Sequence, residues 1–175
     1  MLTAAVSVAL ALGLTQETYP STTVQKELYA AVDLRGKKAP EFAFGQVVQG
    51  TVPELKGKVV LVDFWATWCG PCRAFSPKLN EWAKKFGSDL VIVGVSDEPD
   101  STLTPFLKEH AADYIVTSDP AKTMSKAIGV KGIPHTLVIS ADHVVRYQGF
   151  PNDSADPLTT EKLALIIKLS KQAAQ

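Results

Sequence analysis

Apolar positions along the chain follow two rhythms. From Val59 to Ala66 the residues read VVLVDFWA, an apolar run broken only by Asp63, which predicts a strand buried on both faces. After it, Phe75, Leu79, Trp82, Ala83 and Phe86 recur at i, i+4, i+7, i+8 and i+11, the spacing of one helix face. Pro71 suits the first turn of that helix, Pro77 should kink its interior, and Gly87 should end it. Asp89 to Val95 (DLVIVGV) predicts a second buried strand. Leu103, Phe106, Leu107 and Ala111 then mark a second helix, with Ser101 or Thr102 as its cap.

Tyr114 to Val116 reads as a short strand and Ala121 to Ile128 as a short helix after the Asp119-Pro120 turn. His135 to Ser140 and Val144 to Gly149, joined by a turn at Ala141-Asp142, predict an antiparallel hairpin. A closing helix spans about Leu158 to Lys171, with Leu163, Ile166 and Ile167 inward. Ahead of the regular part, Phe42 to Val52 alternates loosely around Gly45 and Gly50 and suggests a small hairpin. Thr15 to Lys38 is polar and mixed and reads as a linker with a short helix near Val24 to Val32. Strands alternating with helices, then a hairpin and a helix, imply an α/β sandwich with a mixed sheet.

Composition narrows the function classes. The 175 residues carry 18 Lys plus Arg and 18 Asp plus Glu, with no basic run to attract nucleic acid. Leu2 to Leu14 is uncharged, and at 13 residues it is too short for a membrane span, which needs roughly 20. Residues 1–14 therefore read as a secretory signal or N-terminal anchor, although no Lys or Arg precedes the apolar stretch; the alternative is a buried N-terminal helix. A signal would place the chain outside the cytoplasm, where disulfides persist. Any membrane contact is expected through that segment alone.

Cys69 and Cys72 are the only cysteines. A bridge between them closes a very small loop and gains little denatured-state entropy, so a structural disulfide has weak grounds. Placement at a strand-to-helix turn has a chemical reason instead. Cys69 falls at the helix N-terminus, where free N–H groups and the dipole favour an anion, and the thiolate is the reactive form of cysteine. Cys72, one turn further in and less exposed, can attack a mixed disulfide held on Cys69. A metal site would have only half of a tetrahedral set in these two thiolates. Asp63, a lone carboxyl in an apolar strand, should have its pKa raised by burial, unless it sits at the strand end and turns to water.

VDFWATWCGPC, Pro77 and GIPHT (Gly132 to Thr136) together resemble the thioredoxin superfamily over roughly Ala39 to Lys171. The GKKAPEF entry and the material between Asp97 and Gly129 resemble its TlpA-like, extracytoplasmic branch. The resemblance implies a thioredoxin-like domain over residues 39–175. That domain is a three-layer sandwich with a central mixed sheet, an N-terminal β-hairpin extension and a central strand–helix insertion. It implies that Cys69 attacks, Cys72 resolves, and the pair cycles through a redox-active disulfide, with Asp63 handling the proton of the resolving thiol. Trp68, Gly70 and Pro71 match the motif's neighbours. Pro134 matches a proline after a cis bond, so Ile133 would offer its backbone to an extended substrate chain. Gly149 matches a glycine lining the same groove, or merely ends its strand.

Two departures stand out. Phe75 occupies a position where many TlpA-like proteins carry Glu, which leaves Asp63 as the main proton acceptor. His135 follows Pro134 where thioredoxins usually have Thr; it either tunes the dithiol or faces solvent from an edge strand. The expected activity is a thiol–disulfide oxidoreductase that reduces protein disulfides. It would work as a monomer without cofactor or metal, restored by a thiol donor. A thiol peroxidase of the peroxiredoxin kind is the rival enzyme, but its Pro-x-x-x-Thr-x-x-Cys pattern meets Val62 and Ala66 here. A copper-delivery protein using Cys69, Cys72 and His135 is the non-enzymatic rival.

Overall fold

The structure is a computed structural model that describes residues 17–173; the segment read as a signal or anchor lies outside the described residues. Six strands form one sheet: β1 (Gln46–Gln49), β2 (Val59–Trp65), β3 (Leu90–Ser96), β4 (Ile115–Ser118), β5 (His135–Ile139) and β6 (Val145–Gly149). Their spatial order is β1-β4-β3-β2-β5-β6. β2, β3 and β4 run parallel, while β1, β5 and β6 pair antiparallel with their neighbours. The helices are α1 (Gly70–Phe86), α2 (Asp100–Glu109), α3 (Thr123–Ile128) and α4 (Thr160–Ala173). This is the mixed-sheet, three-layer thioredoxin-like fold.

β2 and β3 are central and buried at every residue, as their near-continuous apolar runs imply. Alternate residues feed two cores. Val59 and Leu61 join Phe75, Leu79 and Trp82 of α1 and Leu163, Ile166 and Ile167 of α4 on one face. Val60, Val62 and Phe64 join Leu137 and Ile139 of β5 and Met124 and Ile128 of α3 on the other. α2 lies on the α1 side, where Leu103 packs with Trp65, Cys69 and Cys72.

Three expectations are corrected. Phe42 to Val52 supplies one strand, β1, rather than a hairpin, and β1 pairs with β4 at the sheet edge. Its partner lies about seventy residues away, so local alternation could not reveal the pairing. α2 is capped two residues before Ser101, the earlier of the two expected caps: Pro99 is the N-cap, and its carbonyl accepts from the N–H groups of Thr102 and Leu103. No helix forms near Val24 to Val32. That stretch is an extended strap whose Ala30 bridges Val130. Leu34 N–H donates to the Gln148 side-chain carbonyl at 2.8 Å, and the Gln148 amide donates to Val32 O at 2.9 Å. A helix there would forfeit these long-range partners. Pro77 lies inside α1, which continues to Phe86 and stops at Gly87, φ 50°.

Candidate active site

Cys69 is the N-cap of α1, with extended backbone angles of φ −79° and ψ 103°. Gly70 and Pro71 form the exposed first turn, where the missing N–H of proline costs nothing. Cys69 and Cys72 are joined by a disulfide. The Cys72 N–H points at Cys69 Sγ, 3.2 Å away. After reduction, that donor and the helix N-terminus favour a thiolate on Cys69. Both residues are almost covered, Cys69 at 4% and Cys72 at 3%, so the expected contrast in exposure is absent in the bridged form. What separates the two cysteines is their surroundings.

Cys72 lines a cavity of about 210 Å³ together with Asp63, Trp65, Ser76 and Tyr114. Asp63 is 2% exposed. Its carboxylate accepts a hydrogen bond from Thr136 Oγ1 at 2.8 Å. Thr136 stands directly opposite it on β5. Burial disfavours the charged form and pushes the carboxyl up to about 7, with the Thr136 bond working the other way. A buried carboxyl with that value can both take and return a proton near neutral pH.

Ahead of the cysteines, the turn is clamped by Glu98. Its carboxylate accepts from Thr67 N–H and Thr67 Oγ1, each at 2.7 Å. Trp68 follows this clamp and is 72% exposed. On its far side, Trp68, Phe64, Gly132 and Ile133 line an open groove of about 360 Å³, with Lys122 and Lys131 at its rim. The Ile133–Pro134 peptide bond is cis, and Ile133 also packs against the cluster containing both cysteines.

Gly149 and His135 have other surroundings. Gly149 pairs with Thr136 across the β5–β6 ladder. With φ 136°, a Cβ on it would meet Lys26 Nζ at 3.0 Å, so the strap covers it. His135 is fully buried, and β5 is an internal strand, so it faces no solvent. It pairs with Phe64 while its neighbour Thr136 pairs with Asp63, so His135 lies on the sheet face opposite Asp63. The Phe64 ring is 6.3 Å away, and the Gln148 amide approaches its Nε2 at 3.4 Å. Burial lowers its pKa to about 4, helped by the Lys26 charge. Among the described residues, no cluster of three or more His, Cys, Asp or Glu is arranged to hold a metal.

Sequence reasoning missed Thr136, Ser76, Tyr114 and Glu98. Only Ser76 left a local signal: it lies four residues after Cys72, hence on the same helix face.

A dithiol at a helix start, a buried carboxyl behind it and a cis-proline loop beside it define a thioredoxin-fold redox protein. The Redoxin family profile matches residues 34–164, and the chain belongs to that family. It is 37% identical over 111 residues to the thiol:disulfide interchange protein HelX of Rhodobacter capsulatus, covering 61% of this chain and 62% of that protein. It is 32% identical over 120 residues to the thiol:disulfide interchange protein DsbE of Vibrio cholerae, covering 66% and 64%. The chain thus spans a little under two thirds of the length of these curated relatives. A crystal structure of a thioredoxin-family thiol:disulfide interchange protein from Chlorobium tepidum superposes with TM-score 0.60 and 28% identity, covering 79% of this chain and 99% of that one. These relatives agree with the TlpA-like branch.

Proposed function

We propose that this chain is a thiol–disulfide oxidoreductase that reduces disulfides in protein partners. The observation that carries the reading is the Cys69–Cys72 pair at the start of α1, with the Asp63 carboxyl in the cavity behind Cys72. In the reduced protein, Cys69 thiolate attacks one sulfur of the partner's disulfide and expels the other as thiolate. Cys72 then gives its proton to Asp63 and attacks Cys69 Sγ. The partner leaves with both sulfurs reduced, and two electrons have moved to it as the Cys69–Cys72 bond forms. A thiol donor returns two electrons to close the cycle.

The groove between Trp68 and Ile133 suits an extended partner segment, and in this reading the Ile133 backbone pairs with it as an added strand. Trp68, Gly70 and Pro71 border the approach, and the cis bond before Pro134 shapes it. Names such as DsbE and HelX among the relatives support an extracytoplasmic setting; the donor, a monomeric state and the N-terminal anchor are parts of the same proposal. A copper site using His135 gains nothing from the geometry, because that imidazole lies across the sheet.

The test is disulfide reduction of insulin by wild type, Cys69→Ser and Cys72→Ser. Cys69→Ser should lose all activity, and Cys72→Ser should accumulate partners as mixed disulfides on Cys69. Full activity in Cys69→Ser would overturn the assignment. Peroxide consumption by wild type, measured in parallel, separates the peroxidase alternative.

A further inference from the structure

With its carboxyl pushed up to about 7, Asp63 holds a proton at neutral pH and below, and must release it before it can take the one from Cys72; yet its own side chain is buried. The cavity it shares with Cys72 is walled mainly by apolar groups, including Phe106 and Leu107. Besides Arg73, Asn80 and His110, three polar groups line it. The hydroxyls of Ser76 and Tyr114 hydrogen-bond to each other at 3.0 Å. The third is the indole N–H of Trp65, which is buried and has no hydrogen-bond partner among the described residues. A space of about 210 Å³ with an orphan donor, two hydroxyls and a carboxylate meets the requirements for ordered water.

A missing side chain creates this arrangement. Gly94 stands directly opposite Asp63 on β3. A Cβ on Gly94 would lie 3.0 Å from Trp65 Nε1 and 3.2 Å from Tyr114 Cε2. The absence of that atom lets phenol and indole cross the strand toward the carboxylate. Ser76 comes from α1, one turn beyond Cys72, and Tyr114 from the approach to β4. Both residues line the cavity, with Asn80 and His110 also on its wall. Burial pushes the Tyr114 phenol up to about 12, and the Asp63 charge adds to this. The phenol stays protonated and can accept one proton while releasing another.

We propose that the Ser76–Tyr114 hydroxyl pair conducts the Asp63 proton to the cavity mouth through water oriented by the Trp65 indole. This deepens the reading of the chain as a dithiol reductant and rests on it. Each transfer breaks one O–H bond and forms another; no electrons move, and both hydroxyls end neutral. The net result is one proton carried from Asp63 to solvent. Ser76 and Tyr114 act through Asp63 and are positioning residues. The titratable groups lining the cavity with Asp63 are Cys72 and Arg73 from α1, His110 after α2, and Tyr114 before β4; β5 contributes the uncharged Thr136.

The experiment is single-turnover reduction of insulin by the reduced full chain at about pH 6, where Asp63 starts protonated. Decay of the mixed disulfide is followed by tryptophan fluorescence and acid-quenched alkylation, at increasing imidazole buffer concentration. Variants are Tyr114→Phe, Ser76→Ala, Ser76→Thr and the control Cys69→Ser. Tyr114→Phe and Ser76→Ala should each slow resolution by about 10-fold, a fraction of what a general base supplies. Rising buffer concentration should restore them, while wild type and Ser76→Thr stay fast and insensitive to buffer. Ser76→Ala keeps a strong helix former in α1, so the test survives if Tyr114→Phe folds poorly. Wild-type rates in both variants, or slowing that buffer does not restore, would overturn the relay. If Cys69→Ser retained full activity, the reductant reading itself would fall, and the relay with it.

Discussion

Asp63 and His135 sit on adjacent strands, one step apart in register, and both are buried. Their fates differ. Asp63 faces α1, holds a hydrogen bond from Thr136, and lines a cavity with Cys72. His135 faces the other core, packed by Phe64 and Gln148 beneath the strap. Burial pushes the carboxyl up to about 7 and the imidazole down to about 4. Desolvation disfavours both charged forms, but only the acid is moved into the range where it can exchange protons at neutral pH. A buried titratable group is therefore useful here only on the face that also holds sulfur and polar cavity walls.

The sharpest way to break this contrast is Asp63→Asn. It should slow mixed-disulfide resolution by about 100-fold, the lower range for loss of a positioned base, and remove the inflection near pH 7 from the rate profile. It should also stabilise the fold. The native acid binds its proton up to about 7 and the unfolded one only to 3.8, so wild type loses stability as pH rises between those values. The variant should be more stable by about 3 to 5 kcal/mol above that window and equal below it, read by urea denaturation at several pH values. An unchanged rate profile would remove Asp63 from the mechanism.

His135→Gln should do the reverse. Unfolded histidine binds a proton below 6.5, the native one only below about 4, so wild type loses about 3 kcal/mol as pH falls through that window. The variant should lack this acid slope in denaturation curves and keep its neutral-pH turnover. A shift in its rate profile would instead restore His135 as a tuner of the dithiol. The smallest effect is expected from Thr136→Val. Losing the bond that favours the carboxylate should raise the Asp63 inflection by about one unit, equivalent to about 1.4 kcal/mol, visible in the same profile.

Much of the molecule was readable because its signals are local. The run at Val59 to Trp65, broken only by Asp63, reads as a doubly covered strand, and the spacing from Phe75 to Phe86 as a one-sided helix. Gly87, the Ala141-Asp142 turn and Leu163 to Ile167 were equally plain. The strap near Val24 to Val32 and the edge strand at Gln46 to Gln49 were misread because their backbone partners lie far along the chain.

What residue order alone determined is the dithiol: two cysteines three apart, at a strand-to-helix junction, behind a strand carrying one acid. Those relations are set within a few residues by backbone geometry. Tertiary structure decided which groups share the cavity with that acid. Thr136 comes from 73 residues away, and Tyr114 meets Ser76 across 38. Register between distant strands places them, and because side chains alternate, a slip of one residue would have put His135 where Thr136 now stands.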